Sequence, residues 1–348
     1  MPETALHDAS GVRRQSYCGA ETVAAYTDPR SEFNALLTKC GAYELTWRSK
    51  FRVAGRDRAR WLNGMVSNNV RDLRPGHGIY AFLLNPQAHI LGDMYVHNFG
   101  EYFVIDTDCG QSEKIYTLLK RYIIMDQVEL TELTGHAGFG VCGPESASVM
   151  ERAAITAGGL EPLQNRVCKW QDMELTVVRN DFEVESYELW APQHSKLWDA
   201  LLSAGAAPVG TDALEKVRIA FGRPLYGQDI RERDLPQETE QLRALSFTKG
   251  CYIGQEIVER IRSRGQVHRK FVGFRLRGPL PPPGTKTQWE GKDMGEITTG
   301  ASLPTEAGDI NVALGYIRRE LAAPGKTFAL GESEATIQDF PLLDLKHP

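Results

Sequence analysis

The sequence lacks any pair of cysteines at the spacing of a local metal site. Its six cysteines are scattered over 348 residues, and none belongs to a CxxC pattern. Zinc knuckles and cysteine-bound clusters need closely spaced thiolates, so neither is expected here. The spacings also do not resemble a small secreted disulfide framework.

Long apolar runs and a strong excess of one charge are missing as well. No stretch approaches the roughly 18 apolar residues of a membrane span, and the N-terminal "MPETALHDASGVRRQ" has no apolar signal-peptide core. The formal net charge is -5, so no overall basic field favours nucleic acid. We expect a cytoplasmic protein that does not contact a membrane.

The composition that is present is typical of a folded protein. Hydrophobic residues make up 42% and charged residues 24%, and the length predicts two or three domains. Residues 1–30 are polar and weakly patterned, which predicts a loosely ordered lead-in.

The hydrophobic pattern predicts an α+β fold. In "GIYAFLLNPQAHILGDMYVHNFGEYFVIDTD" apolar runs alternate with turn residues, and "SEKIYTLLKRYIIM" follows at helical spacing. A second succession of this kind runs from "HAGFGVCG" to "GTDALEKVRIAFGRP", so residues 31–270 are predicted to hold two α+β units. After Lys270, short strands broken by proline and glycine predict an antiparallel β barrel over residues 271–348.

The stretch "GFGVCG", residues 138–143, matches the G-x-G-x-x-G pattern. A dinucleotide loop needs its glycines after the strand, where backbone N–H groups meet pyrophosphate. Here Phe139 and Val141 continue a strand, and Pro144 removes a donor. We therefore interpret the match as a strand without a nucleotide site.

Four stretches together carry a family resemblance. "SFTKGCYIGQE", residues 246–256, resembles the Lys-Gly-Cys-Tyr-x-Gly-Gln-Glu signature of the YgfZ family of folate-binding proteins, which are relatives of the glycine-cleavage T-protein, an aminomethyltransferase. "YAFLLNPQAHILGDMYV", "SYELWAP" and "LEKVRIAFGRPLYGQDI" are similar to segments of both groups, in the same order.

The resemblance implies a T-protein-like ring of two α+β (ferredoxin-like) units and a C-terminal antiparallel β barrel around a central folate channel. It also implies tetrahydrofolate, or a one-carbon derivative, as the ligand. For the YgfZ branch it further implies a role in the maturation or repair of iron–sulfur enzymes, including those that modify tRNA.

Folate-binding residues follow from the same resemblance. A pterin needs aromatic walls and a carboxylate, and its glutamate tail needs cations. The implied residues are Tyr80, Asn85, Glu185, Tyr187, Glu188 and Arg218. The usual Thr-Gly-Glu run of T-proteins is replaced by Phe182, Glu183 and Val184, so three glutamates (183, 185 and 188) remain open as the pterin carboxylate. Tyr80 is equally well explained by core packing, Glu188 by an outward strand position and Arg218 by an exposed helix face.

Three residues are candidates for chemistry. Asp93 follows Gly92, where T-proteins have two adjacent aspartates, one of them an acid–base group. Cys251 stands before a predicted helix with Lys249 nearby, and both features favour a thiolate. The alternative is a small residue in a tight turn. Redox, nucleophilic and transient metal-binding roles of Cys251 all stay open.

Basic residues follow the cysteine signature in "ERIRSRGQVHRK". Such a run is most often a solvated surface, but a folate polyglutamate tail, RNA phosphate or an acidic partner would also fit it. The main prediction is a folate-binding protein of the YgfZ group that supports iron–sulfur proteins or their assembly machinery. The rival is a folate-dependent aminomethyl- or methyltransferase, against which the missing second aspartate counts. A third alternative is a scaffold without a working folate site.

Overall fold

The computed structural model describes residues 12–134, 138–192, 195–265 and 267–343. Its helices are α1 Pro29–Thr38, α2 Arg58–Met65, α3 Cys109–Arg121, α4 Ser146–Arg152, α5 Ser195–Ser203, α6 Thr211–Ala220 and α7 Gln255–Arg264. Among the described residues, no helix is both long and apolar enough to cross a membrane.

Strands lie between successive helices up to α6, and the last six strands follow α7. They are β1 Arg13–Tyr17, β2 Ala20–Ala25, β3 Gly41–Glu44, β4 Arg48–Ala54, β5 Gly78–Leu84, β6 Ile90–Asn98, β7 Phe103–Asp108, β8 Glu129–Glu132, β9 Gly138–Cys142, β10 Asn165–Trp170, β11 Met173–Arg179, β12 Ser186–Trp190, β13 Ala207–Pro208, β14 Arg269–Arg277, β15 Lys286–Trp289, β16 Lys292–Leu303, β17 Ile310–Arg318, β18 Thr327–Leu330 and β19 Ser333–Gln338.

The chain divides into two compact units. Unit 1 comprises residues 1–81 and 94–214, and unit 2 comprises residues 82–93 and 215–348. The division falls inside β5 and β6, so these two strands contribute residues to both units.

A six-stranded sheet in unit 1 has the order β10-β11-β12-β9-β3-β13. Its neighbours pair antiparallel except β13, which runs parallel to β3. One face packs against α4 and α5, where Trp198 lies 5.1 Å from the ring of Phe139. Burying this apolar face, at about 25 cal/mol per Å², is the main stabilisation of the layer.

A five-stranded sheet has the order β5-β6-β7-β4-β8. Helix α3 packs on β4 and β7, and its Tyr116 ring lies 5.3 Å from that of Phe51. All six residues of β7 are buried, although three of them are polar. Those polar residues therefore need partners inside the unit.

Residues 13–25 differ from the loosely ordered lead-in that the sequence predicts. They form the β1–β2 hairpin, and Gln15 donates hydrogen bonds of 2.8 Å to both Thr211 and Asp212. These partners lie almost 200 residues away, which is why local patterning gives no sign of the hairpin. Residues 1–11 of the predicted lead-in lie outside the described residues.

The C-terminal strands of unit 2 close into a barrel with the order β14-β17-β16-β15-β18-β19. Its core contains Phe274, Ile297, Ile317 and Phe328, and the two phenylalanine rings meet edge to face. The barrel confirms the predicted C-terminal antiparallel barrel, and the sheets with their helices confirm the α+β class. Because a closed barrel has no free edges, short strands suffice to build it.

The strand prediction for "GFGVCG" is also confirmed. Residues 138–142 form β9, at the centre of the six-stranded sheet. Gly143, which follows it, has φ +132°. A Cβ atom built on Gly143 would lie 2.2 Å from the carbonyl oxygen of Lys39. Close backbone approach therefore explains this glycine.

Candidate functional site

The predicted site residues divide between the two units. Unit 1 contains Tyr80, Glu185, Tyr187 and Glu188, while unit 2 contains Asn85, Asp93, Arg218, Lys249 and Cys251. Each group is described within its own unit.

Glu188 is the predicted residue with the most distinctive surroundings. It lies on β12, and its Oε2 accepts a hydrogen bond of 2.8 Å from Nε1 of Trp190. Among the described residues, no hydrogen-bond donor reaches its other oxygen, Oε1. Burial raises the pKa of Glu188, and the Asp106 carboxylate raises it further, whereas Lys50 and Arg48 oppose the rise.

Four more charged residues lie on β4 and β7 in the same unit. Arg48 bonds Asp106 at 3.2 Å and Asp108 at 2.5 Å, and Lys50 lies 3.5 Å from Asp106. Although burial opposes ionisation of Asp106, Arg48 and Lys50 hold its pKa below the usual value. With Glu188 these residues form the buried charge cluster, which has two cations and three carboxyl groups.

Aromatic rings border the buried charge cluster. The Lys50 ammonium lies 4.6 Å from the Trp190 ring, and His97 meets that ring edge to face at 5.5 Å. On the other side, His97 stacks on Tyr95, which in turn contacts Tyr80 at 5.1 Å. Trp190, His97, Tyr95 and Tyr80 thus form a series of neighbouring rings, the aromatic chain. Tyr80 also belongs to the core.

His97 is held as a neutral imidazole. Burial lowers its pKa to about 4, assisted by Lys50 and Arg48 and opposed by Asp106. Its Nδ1 has no hydrogen-bond partner among the described residues. A methyl group on Gly78 would approach this nitrogen to 2.4 Å, so the glycine makes room for the ring.

Tyr187 and Glu185 form a separate pair. The Tyr187 hydroxyl donates a 2.6 Å hydrogen bond to Glu185, and its ring is part of the core beneath the six-stranded sheet. Because successive strand residues point to opposite faces, Tyr187 faces away from Glu188 and Trp190. The resemblance implies that Tyr187 is a folate-binding residue, but its ring lies on the opposite face of the sheet from the Glu188 carboxyl.

In unit 2, Asn85 stabilises the turn between β5 and β6. Its Oδ1 accepts hydrogen bonds of 2.9 Å from the backbone N–H groups of Gln87 and His89. Asp93 follows on β6 and is half-buried. The structure thus gives Asn85 a clear local role in the turn.

Arg218 is buried near the end of α6. It bonds Glu215 on the same helix and Asp229 at 2.6 Å, and it donates to the carbonyl of Arg223. Asp229, which is fully buried, also accepts from Thr298, Thr299 and the N–H of Leu225. These bonds hold the segment after α6 against the barrel within unit 2.

The cysteine signature forms a turn before α7. Cys251 is exposed, while Lys249 is buried with its ammonium 4.8 Å from the Tyr252 ring. Burial lowers the pKa of Lys249 to about 7. Gly254, with φ +86°, caps the helix and packs against the carbonyl of Asn85, so this glycine accommodates the protein's own backbone.

The basic run after this turn is largely paired. Arg269 bonds Asp234 and Glu238, Lys270 lies 3.2 Å from Glu240, and Arg262 covers the Phe247 ring. Gln266 of the run lies outside the described residues. These contacts favour the solvated-surface interpretation, with part of the run paired to neighbouring acidic groups.

Arg48, Lys50, His97, Asp106 and Trp190 are site residues that the sequence did not identify. A signal was present: Arg48 and Lys50 stand two apart on a strand, as do Asp106 and Asp108. Such spacing places both members of each pair on one face. Only the packing of β4 beside β7 shows that the pairs neutralise each other.

Known proteins share this architecture and sequence pattern. Residues 4–249 match the family model described as the GCVT N-terminal domain. An aminomethyltransferase of Halothermothrix orenii is 25% identical over 93% of both chains. A putative chloroplastic transferase of Arabidopsis thaliana is 28% identical over 88% of this chain and 72% of its own length.

A solved structure shows the same fold. The glycine cleavage system aminomethyltransferase T from Bartonella henselae superimposes with a TM-score of 0.88, at 21% identity, over 98% of this chain and 97% of its own. The family match covers well over half of the sequence. The chain therefore belongs to the GCVT N-terminal domain family.

Proposed function

We propose that this protein binds a reduced folate and takes part in one-carbon transfer of the aminomethyltransferase type. The observation that carries the proposal is the Glu188 carboxyl, which has one oxygen held by Trp190 and the other without a described donor. The aminomethyltransferase relatives favour this activity over an iron–sulfur role.

The residues present fit such a ligand. The pyrimidine edge of a pterin carries adjacent N–H donors, and a carboxylate that accepts them is stabilised in its charged form. The half-buried Tyr95 ring, next to the buried charge cluster, offers flat apolar surface. When bound, a reduced folate supplies the ring and side-chain nitrogens that carry a one-carbon unit.

The protein's own residues have separate proposed roles. Glu188 binds and orients the pterin edge, and Trp190 fixes the direction of the carboxyl. For unit 2, the family resemblance assigns proton transfer to Asp93. One carboxylate there, rather than two, is compatible with a transferase in which Asp93 alone moves the proton.

Calorimetric titration with tetrahydrofolate and its 5-formyl form tests ligand binding. We expect saturable binding, weakened at least about tenfold by Glu188→Gln, because a charge-assisted hydrogen bond contributes about 1.5–3 kcal/mol. Glu174→Gln, an exposed glutamate on β11, is the matched control. Absence of binding to folded wild-type protein would refute the proposal.

Turnover with a lipoyl-bound aminomethyl donor then tests the activity. The transferase proposal expects transfer of the methylene carbon to the N5 and N10 nitrogens of tetrahydrofolate, with release of ammonia and the free lipoyl thiol, and loss of this turnover in Asp93→Asn. Folate binding without turnover would reject the transferase and leave the second candidate function.

That second candidate is support of iron–sulfur enzymes, including those that modify tRNA. It is favoured by the exposed Cys251 within a sequence that resembles the YgfZ signature. Its partners would be iron–sulfur proteins or their assembly machinery, and RNA contact belongs to this candidate alone. Cys251→Ser should then fail to complement loss of a YgfZ-type protein, whereas full complementation would reject a role for the thiol.

A further inference from the structure

Lys50 makes a second contact besides its ion pair with Asp106. Its side chain is only 2% exposed, and burying an ammonium is costly unless other groups compensate it. Its carboxylate neighbour Asp106 already receives Arg48 at the shorter distance of 3.2 Å, against 3.5 Å from Lys50. The other contact of the Lys50 ammonium is the face of the Trp190 ring.

Trp190 connects Lys50 to Glu188. The Trp190 ring lies 4.6 Å from the Lys50 nitrogen, and its indole N–H donates to Glu188 Oε2 at 2.8 Å. A cation over an indole ring is held by the ring's quadrupole. The ring orientation in turn determines where the indole N–H points.

We infer that Lys50 is a positioning residue for Glu188: its ammonium holds the Trp190 ring, whose indole N–H fixes the direction of the Glu188 carboxyl. The inference rests on the proposed function, since the ligand is the reduced folate. It adds a residue that determines how the half-buried carboxylate of Glu188 is oriented.

The ionisation of Glu188 depends on opposing charges around it, one of which is that of Lys50. From β7, Asp106 opposes ionisation of Glu188, and burial opposes it as well. From β4, Lys50 and Arg48 favour ionisation, and so does the Trp190 hydrogen bond. Tyr43 on β3 and His97 on β6 remain neutral, since burial raises the pKa of the first and lowers that of the second.

Removal of Lys50 leaves Arg48, of the two neighbouring cations on β4, to oppose burial and Asp106. Because Arg48 is bonded to two aspartates, it cannot take the place above Trp190. Glu188 should then bind its proton at a higher pH. A folate that requires the carboxylate should bind more weakly at neutral pH and recover as the pH rises.

The first test needs no ligand. The indole N–H resonance of Trp190, assigned by its loss in Trp190→Phe, is followed by NMR between about pH 4 and 9, since protonation of Glu188 weakens a charge-assisted bond. Lys50→Met keeps the side-chain length. In this variant the pH midpoint of the indole N–H titration should move to a higher value. Lys50→Arg should stay close to wild type. The control is Lys120→Met, which removes an exposed lysine over the Tyr116 ring.

The second test is the pH profile of folate affinity. Lys50→Met should weaken binding about tenfold for each unit by which the Glu188 midpoint exceeds the assay pH, with recovery at alkaline pH. An unchanged indole midpoint in folded Lys50→Met would overturn the inference even if folate binds. If folate does not bind wild-type protein, the proposed function fails, while the indole titration still decides the role of Lys50.

Lys50→Gln is the second neutral variant, because its amide can still contact Asp106. A raised midpoint in Lys50→Gln would support the inference if Lys50→Met does not fold. Failure of both neutral variants to fold would show that Lys50 is required for the fold and would overturn the positioning role.

Discussion

The Tyr43 ring occupies the space next to Gly140 that any larger residue would need. A methyl group on Gly140 would lie 2.0 Å from two ring carbons of Tyr43. The two residues are register partners on β3 and β9, and Tyr43 also stacks on Trp47 at 6.1 Å. This glycine is therefore required by packing within a sheet.

Gly140→Ala should destabilise the protein by about 1–3 kcal/mol, the usual cost of overpacking a buried site. Urea denaturation measures the change in free energy of unfolding. Gly158→Ala is the control, because a methyl group there meets nothing within 4 Å. Equal stability of both variants would contradict the packing explanation.

Acid should weaken the contact between the barrel and the segment that follows α6. Arg231, Arg233 and Lys286 all bond Glu296. Although burial acts in the opposite direction, Lys286 and Arg231 lower the pKa of Glu296 to about 2. Since the folded pKa lies below the unfolded value, the stabilisation is present above about pH 4.5 and lost as the pH falls towards 2.

Glu296→Gln should therefore lower stability at neutral pH, by about 1–2 kcal/mol after allowance for solvent screening. The difference from wild type should shrink below about pH 4. Thermal unfolding across this range measures both. A difference independent of pH would show that the ion pairs are not responsible.

Asp229 should be essential for unit 2, since it is fully buried and shared by Arg218, Thr299 and neighbouring donors. Asp229→Asn removes the charge opposite Arg218 while keeping the shape. We expect a loss of about 2–4 kcal/mol, because a buried cation loses part of its compensation. Asp293→Asn, exposed on the barrel, should be near neutral in the same denaturation experiment.

Cys251 should be alkylated much faster than the buried thiols. Burial raises the pKa of Cys40 to about 11 and of Cys142 to about 12, and both side chains are inaccessible. Timed iodoacetamide labelling at neutral pH, read by mass spectrometry, gives the rates. The fast phase should disappear in Cys251→Ser, and its persistence would assign the reactivity to another thiol.

Folate affinity should fall as the pH is lowered through the titration of Glu188. Because burial and Asp106 raise its pKa, the loss should begin at a higher pH than for an exposed glutamate. Calorimetry between about pH 5 and 8 measures the profile. Glu188→Gln, which cannot ionise, should bind weakly with a flat profile, and a sloping one would assign the titration to another group.

Local patterns in the sequence were sufficient to predict the α+β class and the C-terminal barrel. The alternation along β6 and the glycine and proline residues after Lys270 reflect contacts that each segment makes with a single apolar core. The hairpin at residues 13–25 could not be predicted, because its polar partners Thr211 and Asp212 are remote in sequence.

The candidate site was predicted less completely for a similar reason. Glu188 was identified through a family motif, but its neighbours Lys50 and Asp106 look like surface charges in sequence. Their burial depends on β4, β7 and β12 meeting in one unit. The folate-binding roles of Asn85 and Arg218 stay predictions, and the structure gives both residues local bonds that a motif cannot reveal.

Unit 2 includes residues 82–93, which come from the first third of the chain. This short insert contains Phe82, Leu83, Leu84 and Ile90, all of which are buried, and its companions within unit 2 begin only at residue 215. During synthesis, therefore, the sequence of unit 1 is complete before the ribosome has made the residues of unit 2 that pack on this apolar segment. A fragment that ends near residue 214 should therefore expose these apolar side chains and aggregate.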